Sequence, residues 1–203
     1  MEKRPAAGQE GIFASFFMGG FECSTHLRAH DRARLDLVHS TRHDEFAFED
    51  YARLHTVGIR VARDGIRWHV IEKTPGQYDW SSVPPVLRAA KEAEVQVIWD
   101  ILHFGWPDHV DVFAAEFPER FARFAGAFAR IYSQETDEPA FFAPGNEISF
   151  LSFAAGEEGF FNPFVKKRGD EIKKQFVRAT IAAIETIREV LPDARFVHTD
   201  PII

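Results

Sequence analysis

Short apolar runs alternate along the chain with longer segments whose apolar residues recur at helical spacing. The runs have the length of β-strands, and each of the first four is followed by one helical segment. One of them, residues 95–102, is almost continuously apolar, which is typical of a strand buried on both faces. We interpret as strands residues 12–17, 59–61 with a continuation to 68, 95–102, 141–143 and 195–198.

Four helices are predicted between these strands. The first begins with Asp44 as its N-cap and ends near Gly58, and the second opens at Pro84. The third follows Pro118, and the fourth ends near Pro192. Their predicted inward residues are Ala47, Tyr51 and Leu54; Leu87 and Ala90; Phe121, Phe124, Ala125, Phe128, Ile131 and Tyr132; and Ile172, Phe176, Ala183, Ile184 and Ile187.

Strict alternation of strands and helices implies right-handed crossovers and a parallel sheet. An open doubly wound sheet and a closed barrel both fit, but the glycine motifs of dinucleotide-binding sheets and P-loops are absent from the sequence. Polar residues instead end the predicted strands, where a barrel gathers its active site: His103, Asn146, Glu147, His198 and Asp200. We therefore predict an incomplete (β/α)8 TIM-type barrel over residues 12–203, with four β/α units and a fifth strand, after a polar tail at residues 1–11.

The composition is that of an ordinary globular domain, with 45% hydrophobic and 27% charged residues. The net charge is −7 with both signs mixed along the chain, which argues against a nucleic-acid-binding surface. No segment approaches the roughly 20 apolar residues of a membrane span. Cys23 is the only cysteine, which excludes an intrachain disulfide and a thiolate metal cluster. Because no signal-peptide pattern is present, we expect a cytoplasmic protein.

Four motifs at or near the predicted strand ends resemble those of barrel glycosidases. Residues 100–108, Asp-Ile-Leu-His-Phe-Gly-Trp-Pro-Asp, are similar to the strand-three signature of family 1 β-glycosidases, whose histidine touches a sugar hydroxyl. Arg63 matches the strand-two arginine of that clan, and the Pro-Gly-Gln-Tyr-Asp-Trp stretch within residues 71–80 recurs in related enzymes. Asn146-Glu147 matches the pair that carries the acid/base. From about residue 12 to its end, the chain resembles divergent β-glucosidase-like glycoside hydrolases.

This resemblance implies the hydrolysis of a carbohydrate or glycoside substrate without a cofactor. The reaction needs a carboxylic acid that protonates the leaving oxygen and a second carboxylate across the sugar. The resemblance assigns the acid/base role to Glu147, whose neighbours in sequence are mostly apolar. It implies that Asn146 and His103 bind sugar hydroxyls and that Arg63 positions the nucleophile and keeps it ionised.

The polar residues of these motifs also fit structural roles, as helix caps or ion-pair partners. Glu22 and His26 follow the first strand, where family 1 enzymes place sugar contacts, and we predict that both bind substrate although the motif there differs. Trp106 is predicted to line the pocket, with core packing as its alternative.

Two histidine pairs have the i, i+4 spacing of metal ligands, His26 with His30 and His39 with His43. They fall in a predicted loop before the first helix, and the sequence pattern provides no clear carboxylate partner. We therefore predict no metal site.

Two features depart from the family pattern. Ile148 follows the predicted acid/base where family 1 enzymes have proline. The family's nucleophile is a glutamate on strand seven, which these 203 residues do not include, so we expect the chain alone to be inactive and to self-associate through open barrel edges. Two other functions fit the sequence: a half-barrel that binds sugars or assembles as a dimer, and a metal-dependent sugar isomerase or epimerase.

Overall fold

Five parallel strands form one sheet in the computed structural model, which describes residues 11–201. Residues 1–10, most of the predicted polar tail, lie outside the described residues. The strands are β1 (Met18–Gly20), β2 (Val61–Gly65), β3 (Gln96–Asp100), β4 (Phe141–Ala143) and β5 (Arg195–Phe196). Their spatial order is the same as their order in the chain, and every neighbouring pair is parallel. A doubly wound sheet reverses its strand order at a switch point, so this order confirms the barrel-type prediction.

Seven helices occur in the described part of the chain, and four of them are long. The helices are α1 (Leu37–Ser40), α2 (His43–His55), α3 (Trp68–Ile71), α4 (Pro84–Glu92), α5 (Phe117–Glu135), α6 (Ile148–Leu151) and α7 (Gly169–Val190), and α6 continues into a π-helix at Ser152–Glu157. Helices α2, α4, α5 and α7 are the four that the periodicity predicts. The three helices of four residues are too short to show a period, and the sequence did not predict them.

The main core lies between the sheet and the long helices. Leu87 and Ala90 of α4 are buried as predicted, and so are Phe121, Phe124 and Phe128 of α5. The Phe124 ring is the centre of an aromatic stack, with its centroid 4.8 Å from that of Trp68 and 5.6 Å from that of Trp80. This apolar stripe packs α5 against β3 and β4, where its Phe128 ring contacts Trp99 and Phe142.

The other face of the sheet changes from apolar to polar along the strands. Val61, Ile98 and Phe141 form a separate buried cluster near the start of the strands. Successive side chains of a strand point to opposite faces, so Arg63 and Asp100 lie on the same face as Val61 and Ile98, two residues further along. The sheet thus brings polar side chains together at its carboxyl ends.

Three local predictions were wrong. The second strand does not continue to residue 68; it ends at Gly65, and Trp68 begins α3. The first strand is not residues 12–17, where Phe16 and Phe17 are 91% and 72% exposed; it is Met18–Gly20, because only from Met18 onward does the backbone pair with β2. The segment before it instead crosses the start of β3, where the Ala14 backbone N–H donates to Gln96 Oε1 at 2.9 Å. The N-cap of α2 is Arg42, not Asp44, whose carboxylate pairs with Arg67 at 3.0 Å.

Among residues 11–201, no helix combines the length and the apolar character that crossing a membrane requires.

Candidate active site

The guanidinium of Arg63 joins three strand ends. It projects from β2, and its Nε donates to Asp100 Oδ1 of β3 at 3.0 Å, while its Nη2 lies 2.8 Å from Asp100 Oδ2. Nη2 also donates to Asn146 Oδ1 after β4 and, at 3.3 Å, to Thr199 Oγ1 after β5. Because a guanidinium has donors and no acceptor, each of these oxygens accepts from Arg63.

His103 extends this cluster toward β1. Its Nδ1 lies 2.9 Å from Asp100 Oδ2, and its Nε2 lies 2.9 Å from Asn146 Nδ2 and 3.4 Å from Glu22 Oε1. The fold therefore brings together four of the predicted site residues: Arg63, His103, Asn146 and Glu22. Their assembly at the carboxyl edge is the arrangement that a barrel active site needs.

Glu147, the predicted acid/base, follows Asn146 directly and holds an unusual backbone conformation. Its φ of 46° and ψ of 58° are left-handed, which costs a residue other than glycine roughly 1–2 kcal/mol. Its backbone N–H donates to Thr199 O at 2.9 Å, which ties it to the chain after β5. Glu147 occupies the N-cap position of α6, but its half-buried carboxylate makes no capping hydrogen bond. Backbone strain of this kind is concentrated at functional positions.

Glu22 presents a half-exposed carboxylate beside His103. Burial raises the pKa of Glu22, but hydrogen bonds from Ser24 and the nearby His103 and Arg63 outweigh burial, so this pKa lies below its ordinary value. The Ser24 backbone N–H donates to Glu22 Oε1 at 2.9 Å. Glu22 is therefore ionised at neutral pH and offers acceptor oxygens to solvent.

His26 lies at the rim of the cluster, with its ring centroid 4.8 Å from that of Phe161. Burial lowers the pKa of His26, although the charge of Glu22 acts in the opposite direction. Its Nδ1 is buried, and no residue that the structure describes hydrogen-bonds to it. Because this nitrogen is buried, it does not bear on substrate binding, and the role of His26 as a substrate contact stays a prediction.

Trp106 is not part of the cluster. Its side chain is 5% exposed, and its ring packs against Phe176 of α7 with centroids 5.6 Å apart. This position matches the core-packing alternative. Phe104 and Phe150 lie closer to the site, since the Phe104 ring contacts His103 at 4.7 Å and Phe150 at 5.5 Å.

Sequence reasoning assigned no role to three residues that belong to the cluster: Asp100, Cys23 and Thr199. The Cys23 sulfur lies 3.0 Å from His103 Nδ1 and 3.5 Å from Asp100 Oδ2. Burial, followed by the negative charge of Asp100, raises the pKa of Cys23 well above its ordinary value, so the thiol stays protonated. Asp100 had a usable signal, because a carboxylate within a buried apolar strand must be paired.

Cys23, Asp100 and His103 also bring three possible metal-ligand atoms within 4.8 Å of one another. The chemistry of this group does not suit a cation, since Arg63 already binds Asp100 and the thiol is protonated. The three atoms instead form hydrogen bonds with each other.

His43, from the second histidine pair, has carboxylate partners that the sequence pattern did not reveal. It is the first residue of α2, not part of a loop, and its Nε2 and Nδ1 lie 2.9 Å from Asp64 and Asp50. Asp64 precedes Gly65 on β2, so this cluster is on the helix side of the sheet, opposite Arg63.

A cleft of about 410 Å³ opens at the other end of the sheet, between α4 and α5. Leu87, Lys91, Gln96 and Tyr132 are among its lining residues. Burial raises the pKa of Tyr132 to about 12, so its phenol stays neutral. We place the candidate site at the polar cluster and not in this cleft, because barrel active sites lie at the carboxyl ends of the strands.

No family model matches the chain, and no curated protein matches it either. Solved structures do. The chain superposes on the AHE enzyme of Alicyclobacillus herbarius with a TM-score of 0.70 and 19% identity, over 78% of this chain and 37% of that one. For a family 1 β-glucosidase of Thermotoga maritima the TM-score is 0.69 with 15% identity, over 76% and 36% of the two chains. The β-glycosidase BGL167 gives 0.66 with 20% identity, over 78% and 45%.

The fold is shared with β-glucosidases. The structural similarity that the sequence motifs indicated is thus confirmed at the level of the fold. The chain spans between 36% and 45% of the length of these three solved structures. In fold it corresponds to part of the barrel of these structures, with its polar cluster at the carboxyl ends of the strands.

Proposed function

We propose that this chain supplies the acid/base half of a glycosidase active site, with Glu147 as the proton donor. The observation that carries this proposal is the position of Glu147 at the end of β4. It directly follows Asn146, whose side chain is bound by Arg63, His103 and Thr199. Because the neighbouring Asn146 side chain is fixed by three partners, the backbone that carries Glu147 is held in place. Proton transfer requires a carboxyl group that is positioned in this way.

In this proposal each residue of the cluster has a separate task. Glu147 protonates the leaving oxygen and afterwards activates the water. Glu22 and the second N–H of the Asn146 amide bind hydroxyl groups of the sugar, while Arg63 and His103 keep Asn146 in position. Structures of a T. maritima β-glucosidase with deoxynojirimycin and with castanospermine belong to the same group of structural neighbours, which supports a carbohydrate ligand.

The second carboxylate of the reaction comes, in this proposal, from outside the 203 residues. In retaining glycosidases it lies about 5–5.5 Å from the acid/base and attacks the anomeric carbon. The chain spans only 36% of the T. maritima enzyme, so most of a barrel of that kind lies beyond it. We therefore expect no hydrolysis by the isolated 203-residue chain.

The test replaces Glu147 in the protein expressed from its complete reading frame. We expect Glu147→Gln to lower turnover of alkyl β-glucosides by about 10²–10⁴-fold, because the leaving oxygen is no longer protonated. The 2,4-dinitrophenolate group leaves readily as an anion and needs no proton. Glycosylation of the variant by a 2,4-dinitrophenyl glucoside should therefore be much less impaired. The matched control is Glu185→Gln, which changes an exposed carboxylate of α7.

The comparison of the two leaving groups shows whether Glu147 acts as the proton donor or only stabilises the fold. Equal losses for both substrates, with the fold retained, would contradict the acid role of Glu147. Binding of deoxynojirimycin without turnover of any glycoside would favour a sugar-binding module and refute the hydrolase proposal.

A further inference from the structure

Asp100 is bound by several side chains of the cluster, and the proposed function gives it no task. Only 1% of the residue is exposed. Its carboxylate accepts from Arg63 Nε at 3.0 Å, lies 2.8 Å from Arg63 Nη2, and lies 2.9 Å from His103 Nδ1. A buried carboxylate is costly unless its charge and its lone pairs are satisfied, and here both are.

The hydrogen bonds around Asp100 allow one consistent assignment of protons. Arg63 can only donate, so the Asn146 atom that faces it is the oxygen, Oδ1. The Asn146 nitrogen, Nδ2, then faces His103 Nε2 at 2.9 Å and donates to it. His103 Nε2 is therefore an acceptor without a proton, and the ring proton sits on Nδ1, directed at Asp100.

We propose that Asp100 is a positioning residue that sets the tautomer of His103 and the orientation of Arg63. Its carboxylate keeps the His103 proton on Nδ1, so that Nε2 stays the acceptor for the Asn146 amide N–H. Through Arg63 it also determines which end of the Asn146 amide faces His103. The consequence for catalysis rests on the proposed function: because His103 Nε2 accepts from the Asn146 N–H, His103 acts by holding the Asn146 amide in position for the sugar.

Glu22 is the one other carboxylate of the cluster that competes for the ring proton. It lies 3.4 Å from His103 Nε2, whereas Asp100 lies 2.9 Å from Nδ1 and is almost fully buried. The shorter, less hydrated contact is the stronger one, so the Nδ1–H tautomer prevails. Cys23 adds little, because a thiol is a weak donor and acceptor.

Gly65 keeps Asp100 in this place. It pairs with Asp100 across β2 and β3, and a Cβ at position 65 would lie 2.5 Å from the Cys23 sulfur and 3.2 Å from Asp100 Cβ. The absence of a side chain thus allows Cys23, His103 and Asp100 to approach one another.

The direct test is ¹⁵N NMR of the imidazole of His103 in the protein expressed from its complete reading frame. We expect the wild type at neutral pH to carry its ring proton on Nδ1. We expect Asp100→Asn to shift the ring toward the Nε2–H tautomer, because the neutral amide no longer favours a proton on Nδ1. A wild-type ring protonated on Nε2 would overturn the proposal without any variant, and so would an Asp100→Asn protein that keeps the Nδ1–H form.

Kinetics provide the second readout. Loss of one charge-assisted hydrogen bond should lower kcat/KM of Asp100→Asn by about 10–100-fold, mostly through KM, at an unchanged pH optimum for Glu147-dependent turnover. Asp193→Asn, an exposed site before β5, is the control and should match the wild type. An unchanged kcat/KM in folded Asp100→Asn would contradict the positioning role. Failure of the wild type to cleave any glycoside would refute the proposed function, while the NMR result would still decide the tautomer.

Discussion

His43 is a buried histidine that shares its two ring nitrogens between two carboxylates. Burial lowers the pKa of His43, but Asp64 and Asp50 outweigh it and raise this pKa above the ordinary value. Tyr51 also donates to Asp64, and burial keeps its hydroxyl protonated by raising the pKa of Tyr51 well above its usual range. The His43 ring stacks on Phe21, with centroids 4.1 Å apart, just before Glu22.

A pH-dependent contribution of His43 to stability follows from this geometry. The pKa of His43 is about 6.5 in an unfolded chain and higher in the folded one. Its protonation therefore stabilises the fold fully below about pH 6.5, and this contribution is lost as the pH rises through the folded pKa. We expect His43→Gln to cost about 1–3 kcal/mol at pH 6, through unsatisfied buried acceptors, and less at pH 9.

Urea unfolding of wild type and His43→Gln at the two pH values measures the difference. His30→Gln, which changes a side chain that is 73% exposed, is the control. A cost for His43→Gln that is larger at pH 9 than at pH 6 would show that the ring is neutral in the folded protein.

At the residue scale, the sequence predicted the positions of functional groups better than their partners. Residue type and a strand end were enough to select His103, Asn146 and Glu147 as candidates, and the resemblance to family 1 β-glycosidases added Arg63. The roles of Asp100 and Cys23 depend on the register between β1, β2 and β3, which local sequence does not determine. For Trp106 the sequence left pocket and core open, because an aromatic ring fits both, and the structure packs its ring against Phe176.

At the element scale, two loops that carry site residues touch at a glycine. Gly105 lies two residues after His103, and a Cβ there would be 2.3 Å from the Thr25 carbonyl oxygen. The Thr25 backbone N–H in turn donates to His103 O at 3.2 Å. This close approach joins the loop after β1, which contains Glu22, to the loop after β3.

We expect Gly105→Ala to destabilise the fold by about 1–3 kcal/mol, because backbone atoms must move apart. Gly20→Ala is the matched control, since a Cβ at that position would meet nothing within 4 Å. Chemical denaturation of both variants measures the effect. Equal unfolding midpoints for the two variants would mean that the loops separate without cost.

The sequence predicted those helices that are long enough to repeat their apolar spacing over several turns. The 19 residues of α5 and the 22 residues of α7 show several turns of apolar spacing. The apolar run at residues 12–17 misled the strand assignment, because hydrophobicity alone does not show which backbone has a pairing partner. The short helices α1, α3 and α6 are formed by turns and tertiary contacts, which leave no period in the sequence.

At the scale of the whole molecule, the described sheet has two outer strands, β1 and β5, each paired on one side only. Exposed aromatic rings of Phe16 and Phe17 lie immediately before β1. Free strand edges with apolar side chains nearby promote pairing between chains. We therefore expect the isolated 203-residue chain to self-associate.

Sedimentation velocity over a range of concentrations tests this expectation. Phe16→Lys should weaken the association, whereas Val57→Lys, which changes a side chain 71% exposed after α2, should not. A chain that sediments as a monomer at every concentration would refute the prediction.

The barrel-type fold itself was predictable from the alternation of elements and from the polar residues at strand ends. Alternation alone also fits a doubly wound sheet, and only the gathering of polar residues from several strands favoured the barrel. The sequential strand order distinguishes a barrel from a doubly wound sheet. It depends on which strands pair in space, and local sequence patterns do not determine that pairing.

Adjacent residues of β2 serve two different buried clusters on opposite faces of the sheet. Arg63 binds the site cluster, and Asp64 binds His43 and Tyr51 beneath α2. Inserting or deleting one residue before Arg63 within β2 would exchange these faces, placing a cation among the helices and an anion in the site. Insertions and deletions should therefore be absent from β2 in related proteins and occur in the loops on either side of it. Substitutions of surface side chains are not restricted in this way.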